Sequence, residues 1–291
     1  MRFLLIFILF LTYANAQTIL VINSNSNIKK YQQTQEAFEK NFDGKFKSID
    51  ISKMKKQEIK KYLYDEYPDI VYAIGSRAYQ YAYKYIPERK IFFSSIINWE
   101  RLPKKEHFSG VLVEMHSEMH LTIIHSVFSK FKKYSILYSD YTQDVVSSFK
   151  KAANHIGVEV VTQKVKSTDD INYSKLLNSS DALIVIPDPI ILKNRSAVES
   201  IFRVMKENKK PIITYDKLFL KYGALFSLSI DNPTIGRQIS TMVQTYLDNK
   251  SSTSNIQYPT GTHTIFNIEL AKELGIVIDK QNIQIIDEMY R

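Results

Sequence analysis

The sequence predicts an α/β protein made of two doubly wound lobes, each with a parallel sheet. Short apolar runs rich in β-branched residues alternate with segments of helical spacing, and the whole alternation restarts near Tyr134. Strands that are apolar along nearly their entire length, separated by helices, are typical of parallel sheets covered on both faces. The 291 residues are enough for two domains of ordinary size.

The first lobe contains the first series of alternating elements. Its predicted strands are TILVIN (18–23), KFKSIDI (45–51), DIVYAIG (69–75), KIFFSSI (90–96) and SGVLVEM (109–115). Its predicted helices are KKYQQTQEAFEKNF (29–42), KKQEIKKYLYDEY (55–67) and SRAYQYAYKYI (76–86). A long helix, SEMHLTIIHSVFSKF (117–131), follows with Ser117 as its N-cap.

The second lobe repeats the same order of elements. Its predicted strands are YSILYS (134–139), VEVVTQKV (158–165), DALIVIP (181–187), PIITY (211–215) and ALFSLSI (224–230). Its predicted helices are TQDVVSSFKKAANHIG (142–157), DDINYSKLLNSS (169–180), SAVESIFRVMKENK (196–209) and KLFLKYG (217–223). Since no linker rich in Gly, Ser or Pro divides the series, we expect closely packed lobes.

The first 16 residues have the three parts of a secretory signal. Met1-Arg2 is a short basic start, Phe3 to Leu11 is a continuous apolar run, and Ala14-Asn15-Ala16 is an A-x-A cleavage site. We predict that residues 1–16 are a cleaved signal peptide and that the mature protein is exported to a compartment such as a bacterial periplasm. An uncleaved membrane anchor is the alternative.

Composition excludes several classes of function. The chain has no cysteine, which excludes disulfides, thiolate chemistry and a lipoprotein anchor at the cleavage site. Its formal net charge is +9, but the lysines are interrupted by acids and aromatic residues rather than gathered in a basic stripe. We therefore expect a solvated surface and no nucleic-acid partner.

Signals for an enzyme are weak. AIGSR (73–77) lacks the full G-x-S-x-G of a nucleophile elbow, and the chain has neither G-x-G-x-x-G nor a Walker A motif. We predict no enzyme activity and no cofactor. An envelope hydrolase remains a minor hypothesis, although no nucleophile and base can be paired from the sequence.

The candidate site residues lie where the predicted strands end. In open α/β sheets, ligands bind outside the carboxyl ends of the strands. Those ends carry Ser24, Asn25, Ser76, Arg77, Ser94, Ser95, Asp140, Tyr141, Asp188, Tyr215, Asp216 and Asp231. The first lobe thus offers hydroxyls, amides and an arginine, and the second lobe offers carboxylates. This division suits a zwitterion, although each residue alone is also a common helix N-cap.

Two other groups of residues have competing interpretations. His116 and His120 have i, i+4 spacing, which suits either a metal pair or packing. We favour packing and predict no metal site. Tyr79 and Tyr83 share a helix face, and Trp99 follows the fourth strand. Both sites could stack against a ligand, but packing is the simpler interpretation.

Several segments resemble the solute-binding proteins of one ABC-transporter family, whose better-known members bind aromatic amino acids. The segments are ILVINSNSNIKKYQQTQEAFEK, PDIVYAIGSRAYQYA, IFFSSIIN, FSGVLVEMHSEMHLTIIHSVFSKFKKYSILYSD, DALIVIPDPIIL and GALFSLSIDNPTIGRQ. The most specific pieces are K-x-GALFSLSID-x-x-x-IGRQ (221–238), LYSD and IPDP. The resemblance covers nearly the whole mature chain.

The resemblance implies a type I periplasmic-binding fold in which two lobes close over a small ligand. By analogy, lobe one comprises 17–115 plus 233–262, and lobe two comprises 116–232 plus 263–291, joined by a three-segment hinge. The resemblance also implies that Asp231 meets a ligand ammonium, and that the loops with Ser76 and Ser94-Ser95 hold its carboxylate. The sequence departs from the family at Ser76-Arg77-Ala78 and at the first loop, SNSN, so the identity of the ligand stays open.

The sequence and the resemblance together predict an exported monomeric solute-binding protein. Its partners would be a small zwitterionic or anionic ligand, for example an amino acid, and an ABC permease in the inner membrane. The alternative is a periplasmic module of the same fold that senses a ligand and signals to a membrane receptor or kinase without transport.

Overall fold

The computed structural model describes residues 17–97, 99–249 and 255–291. The predicted signal peptide, residues 1–16, lies outside the described residues. Within the described ranges, no helix has both the length and the apolar character required to cross a bilayer.

The strands fall close to the apolar runs of the sequence. They are β1 (Ile19–Asn23), β2 (Phe46–Asp50), β3 (Ile70–Ile74), β4 (Lys90–Ser94), β5 (Ser109–Val111), β6 (Lys133–Tyr138), β7 (Glu159–Lys164), β8 (Ala182–Ile184), β9 (Ile212–Thr214), β10 (Phe226–Ile230), β11 (Ile256–Gln257), β12 (Thr262–Asn267) and β13 (Glu288–Tyr290).

The helices separate these strands, and those up to residue 178 and at 195–207 fall where the spacing predicts them. They are α1 (Lys29–Asn41), α2 (Lys56–Glu66), α3 (Ser76–Tyr85), α4 (Ser117–Val127), α5 (Gln143–Ile156), α6 (Tyr173–Asn178), α7 (Pro189–Lys193), α8 (Arg195–Glu207), α9 (Asn232–Asn249) and α10 (Ile268–Leu274). The predicted helix at 217–223 is a 3-10 helix, Lys217–Tyr222.

The chain divides into two compact units. Unit 1 contains the residues up to Val111 and Gly236–Gln257, and unit 2 contains Leu112–Ile235 and Tyr258–Arg291. The lobe boundaries implied by the family resemblance stay a prediction. The first turn of α9 falls in unit 2, and its Thr234 backbone N–H donates to Asp231 at the end of β10.

Unit 1 has a parallel sheet in the order β2-β1-β3-β4-β5-β11. The chain moves from β1 to β2 on one side and then crosses to β3 on the other, so right-handed connections place helices on both faces. The predicted strand 109–115 is shorter than expected. β5 ends at Val111 because its edge partner β11 pairs only with Gly110 and Val111.

Unit 2 has a sheet in the order β7-β6-β8-β9-β10-β12-β13. Adjacent residues of its strands belong to different core clusters. Ile136 and Ile184 pack with α4 and α5, whereas Leu137 and Leu183 pack with α6 and α8. Since side chains alternate along a strand, both faces of the sheet are covered. The fold class is confirmed, except that β12 pairs antiparallel with β10.

Candidate functional site

In unit 1, the topology places a crevice between β1 and β3. The strand order reverses there, and ligands of doubly wound sheets bind outside the carboxyl ends of the strands at that switch point. Ser24 and Gly75 are the first residues beyond these two strands. The candidate site of this unit is therefore built on the loops after β1 and β3, with the loop after the neighbouring β4.

Ser24 and Gly75 join the first two loops. The Ser24 backbone N–H donates to the Ile74 carbonyl at 3.0 Å, and the Ser24 hydroxyl accepts from the Ala78 backbone N–H at 2.9 Å. Gly75 has a φ of 86°, and a Cβ there would lie 2.7 Å from the Ser24 Oγ atom. Glycine is therefore required at the start of α3.

The amino terminus of α3 is a ready acceptor site for an anion. Ser24 takes the N–H of Ala78, but the backbone N–H groups of Ser76 and Arg77 have no acceptor among the described residues. Free N–H groups and the helix dipole favour a negative group at such a position. The sequence-predicted Ser76 thus lies at a point that suits a carboxylate.

Ser94 and Ser95 have different environments, although they are adjacent. The Ser94 hydroxyl is bonded to the Tyr72 hydroxyl at 2.7 Å in the core, and the Ser94 carbonyl accepts from the Gly75 N–H at 2.9 Å. Ser95 is 3% exposed, with a φ of 60°, and its hydroxyl has no partner among the described residues.

A buried hydroxyl without a partner and a left-handed backbone each carry a cost in free energy. The first costs about 1–3 kcal/mol and the second about 1 kcal/mol or more. Strain of this kind concentrates at functional sites. Because the Gly75 N–H bonds to the Ser94 carbonyl, Ser95 follows β4 directly beside the start of α3.

Asn25 and Arg77 mainly organise loops in the structure. The Asn25 side-chain oxygen accepts from the Asn27 backbone N–H at 3.1 Å. The Arg77 guanidinium donates to the carbonyls of Ser52 and Met54 at 3.0 and 2.9 Å, which fixes the loop between β2 and α2. A contact of either side chain with a ligand stays a prediction.

The aromatic residues of this unit pack against each other. Trp99 stacks on Phe93 with ring centroids 5.5 Å apart, and the Lys104 ammonium lies 4.4 Å from the Trp99 ring. Tyr79 is buried and meets Phe93 and Phe108 edge-on. The contacts of Tyr79 are those of core packing.

In unit 2, Asp140 and Tyr141 follow β6 and face solvent. The Asp140 side chain is 74% exposed and pairs with Lys164 at 2.5 Å, an exposed ion pair of small energetic weight. The Tyr141 side chain is 53% exposed. Both side chains are accessible to a small molecule at the carboxyl edge of the sheet.

Asp188 follows β8, and it differs from Asp140 in both exposure and hydrogen bonding. It is fully buried, and both of its carboxylate oxygens accept hydrogen bonds from the described residues of unit 2. It caps α7 through the Ile190 and Ile191 N–H groups. These bonds occupy the acceptor positions that a ligand ammonium would need.

Tyr215 and Asp216 follow β9. The Tyr215 ring packs on Phe219 at 5.6 Å, and burial together with the charge of Asp216 raises the pKa of Tyr215 to about 12. Asp216 caps the next 3-10 helix by accepting from the Leu218 N–H at 2.9 Å. Tyr215 remains protonated at neutral pH and can only act as a neutral hydroxyl.

Asp231 ends β10 at the start of α9. Its Oδ2 atom accepts from the Thr234 backbone N–H at 3.0 Å, which is the bond of an N-cap. The Thr234 hydroxyl donates to the same oxygen at 2.5 Å, and the Asp231 N–H donates to the Gly261 carbonyl at 3.0 Å. Asp231 is therefore the N-cap of α9, and its side chain is still partly exposed.

Asp50, at the end of β2, is a residue that the sequence interpretation missed. Its carboxylate accepts from the Ser26 backbone N–H at 2.7 Å, from the Ser26 hydroxyl, and from the Ser52 N–H at 2.6 Å. Burial raises the pKa of Asp50, but the bonds from Ser26 and Ser52 outweigh it and hold the pKa well below its usual range. The rule about strand ends, applied to KFKSID, would have found it.

The two histidines of the possible metal pair have separate surroundings. His120 is buried against Phe149 with ring centroids 5.3 Å apart, and burial lowers its pKa to about 4. His116 meets the Tyr258 ring at 5.1 Å. Among the described residues, no three His, Asp or Glu side chains form a group that could hold a metal ion.

Two solved structures align with this chain over nearly its whole length. The ligand-free, open structure of a substrate binding protein with adhesive properties from Clostridium difficile aligns with a TM-score of 0.71 at 19% identity, covering 94% of this chain and 98% of that one. The ABC domain in complex with L-Trp from Streptococcus pneumonia aligns with a TM-score of 0.59 at 19% identity, covering 94% and 100%. At these identities, the likeness establishes the fold.

The family described as ABC transporter substrate binding protein matches residues 19–288. This chain therefore belongs to that family. The tyrosine-binding protein of Clostridioides difficile (strain R20291) is 25% identical over 197 residues, which are 63% of this chain and 56% of that protein. The match thus spans little more than half of that relative's length.

Proposed function

We propose that this chain is the exported solute-binding protein of an ABC importer. In this proposal it binds a small zwitterionic or anionic ligand, an amino acid in the first instance, between its two units. The two units close over the ligand by bending where the chain passes between them, near residues 111, 235 and 257. It acts in the periplasm and delivers the ligand to a membrane permease.

The observation that carries the proposal is the buried, unpaired hydroxyl of Ser95 beside the amino terminus of α3. The Ser76 and Arg77 N–H groups and this hydroxyl would donate to the carboxylate of the ligand. Hydrogen bonds to a charged group contribute about 1.5–3 kcal/mol each, so a carboxylate would offset the cost of the strained Ser95 backbone.

The ammonium of the ligand would be held by unit 2. Asp231 and Asp140 both present carboxylates at the carboxyl edge of that sheet. The family resemblance favours Asp231. Asp188 is left out of the ligand contacts because its two oxygens already accept hydrogen bonds within the unit.

The carboxyl edge of each sheet also exposes large apolar side chains. Ile97 and Ile28 follow strands of unit 1, with 47% and 39% of their surface exposed, and Tyr141 and Leu218 follow strands of unit 2, with 53% and 62%. Such residues fit a ligand with an apolar or aromatic side chain. The relatives that bind tyrosine and L-Trp support the same choice.

Closure of the two units follows from ligand binding by differential affinity. A ligand whose carboxylate is held by one unit and whose ammonium is held by the other gains both contacts only when the units approach. The closed form is the one that we expect the permease to recognise.

The first experiment is a thermal-shift screen of residues 17–291 against the amino acids and a set of small organic acids. A true ligand at about 100 times its Kd adds roughly 2.7 kcal/mol of stability. Titration calorimetry with L-tyrosine and L-tryptophan then gives the affinity. If no compound of either class raises the Tm at millimolar concentration, the ligand class is wrong.

A second experiment separates transport from sensing. Cells that lack the gene should lose uptake of the radiolabelled ligand, and the wild-type gene should restore it, whereas an Asp231→Ala gene should not. Unchanged uptake together with an altered transcriptional response to the ligand would favour the sensing module instead.

A further inference from the structure

Asp188 makes a dense set of contacts with the loop that follows β6. Its Oδ2 atom accepts from the Ser139 N–H at 2.7 Å, the Ser139 hydroxyl at 2.7 Å and the Thr142 hydroxyl at 2.6 Å. Its Oδ1 atom accepts from the Ile190 and Ile191 N–H groups at 2.9 and 3.2 Å. One carboxylate thus joins the loop at 139–142 to the start of α7.

The Ser139 hydroxyl connects Asp188 to the backbone of Tyr141. It donates to Asp188 and accepts from the Tyr141 backbone N–H at 3.2 Å. Ser139 and Thr142 are both 2% exposed, whereas the Asp140 and Tyr141 side chains between them face solvent. The buried ends of the loop are therefore fixed while its middle is presented outward.

The charge of Asp188 suits this role. Burial raises the pKa of Asp188, but the hydrogen bonds from Thr142 and Ser139 outweigh it, so the pKa is lowered overall. The group is ionised at neutral pH. Only a carboxylate accepts every one of these bonds, because an amide replaces one acceptor oxygen with a donor.

Unit 1 contains a similar arrangement on the other side of its central strand, since Asp50 ends β2, whereas β3 is the counterpart of β8. Asp50 accepts from the backbone and hydroxyl of Ser26 in the loop after β1, as Asp188 does from Ser139 after β6. β1 and β6 are each flanked by two parallel strands of their own unit. Both loops lie at the carboxyl edge where the ligand is proposed to bind.

We propose that Asp188 is a positioning residue that holds Tyr141 and Asp140 in their ligand-binding geometry without touching the ligand, and that Asp50 does the same for the loop at Asn25 and Ser26. The inference rests on the proposed function. A loop ordered before binding loses less entropy when the ligand arrives, so the carboxylate acts on affinity through the loop.

The test compares two substitutions that each remove one buried hydroxyl donor to a carboxylate of unit 2. Thr142→Val removes the bond to Asp188, and Thr264→Val removes the contacts of the Thr264 hydroxyl with Asp287 and with the Ile285 carbonyl elsewhere in the unit. With L-tyrosine and L-tryptophan as probes, we expect Thr142→Val to raise Kd at least fivefold and Thr264→Val less than twofold. Equal Kd values for both variants and wild type would overturn the proposal.

A double-mutant cycle shows whether Asp188 acts through Tyr141. In the wild-type protein, Asp188→Asn is expected to raise Kd at least twentyfold. In a protein that already carries Tyr141→Ala, the same substitution is expected to raise Kd less than threefold. Fully multiplicative effects would refute action through the loop. If Asp188→Asn does not fold, the same cycle is made with Thr142→Val.

Hydrogen exchange in the ligand-free protein tests whether Asp188 holds the loop without relying on ligand binding. The Tyr141 amide should exchange at least tenfold faster in Thr142→Val than in Thr264→Val. If neither L-tyrosine nor L-tryptophan binds the wild-type protein, the choice of an aromatic ligand fails, while the exchange rates still decide whether Asp188 holds the loop. Unchanged exchange would overturn the positioning role.

Discussion

Replacing Ser95 by glycine is expected to make this protein more stable and at the same time weaker in ligand binding. Ser95 has a φ of 60°, is 3% exposed, and its hydroxyl has no partner among the described residues. Glycine adopts positive φ without a steric cost and brings no hydroxyl that must be satisfied. Both features that we attribute to ligand binding are removed by one substitution.

The expected gain in stability follows from three contributions. Relief of the left-handed strain contributes about 1 kcal/mol, and removal of the unpaired hydroxyl about 1–3 kcal/mol. The larger entropy of glycine in the unfolded chain offsets about 0.5–1 kcal/mol. The net gain is about 1–3.5 kcal/mol, and for a protein of this size each kcal/mol raises Tm by roughly 2–4 °C.

The expected loss of affinity comes from one hydrogen bond to a charged group. Such a bond contributes about 1.5–3 kcal/mol, which corresponds to a Kd roughly 10- to 100-fold higher. Ser95→Ala should lose the same affinity but gain less stability, because the alanine keeps the strained backbone. Denaturation in urea and titration calorimetry measure the two quantities on the same preparations.

The control is Ser227→Ala in unit 2. Ser227 is fully buried in β10, and its hydroxyl also lacks a partner among the described residues. This variant should gain stability and keep the wild-type Kd. If Ser95→Gly and Ser95→Ala both bind as wild type does, Ser95 does not reach the ligand. If Ser95→Gly is less stable than wild type, the reasoning about strain is wrong.

Three further predictions concern other residues. Gly75→Ala should destabilise the protein by about 2 kcal/mol or more in denaturant titration, because a φ of 86° and a Cβ 2.7 Å from the Ser24 Oγ atom leave no room for a side chain; a loss below about 0.5 kcal/mol would contradict this. Asp231→Ala should weaken binding at least tenfold, and Asp231→Asn should do so equally while keeping the stability of the N-cap; wild-type affinity in Asp231→Asn would reduce Asp231 to a cap. The pKa of His120 is lowered to about 4 in the folded protein. The stability that the neutral imidazole contributes is therefore fully present above pH 6.5, the ordinary pKa, and is lost as the pH falls towards 4. The free energy of unfolding should fall by on the order of 3 kcal/mol over this range. His120→Phe should flatten this part of the curve of unfolding free energy against pH, and an unchanged curve would refute the assignment.

Much of the fold could be read from local pattern. Apolar runs such as DIVYAIG and KIFFSSI became β3 and β4 because strands buried on both faces need apolar residues at every position. The C-terminal strands β12 and β13 were not predicted. β12 is antiparallel to β10 and β13 is short, so neither follows the βαβ pattern on which the interpretation relied.

The two aspartates after β6 and β8 show where local pattern was insufficient. Asp140 and Asp188 both follow an apolar run and precede a helix, so they look equivalent in the sequence. In the structure, Asp140 is exposed and Asp188 is fully buried by donors 46 to 49 residues away. The same holds for Ser94 and Ser95, which are both buried: the Ser94 hydroxyl bonds to Tyr72, 22 residues away, and the Ser95 hydroxyl has no partner among the described residues.

The sequence by itself determined the order of strands and helices and the edge at which polar residues gather, because periodicity and parallel pairing depend on neighbours along the chain. The tertiary structure decided which of these polar groups remain free to bind a ligand. A hydroxyl or carboxylate forms hydrogen bonds with the donors or acceptors that the fold brings within about 3 Å, and those partners are distant in sequence.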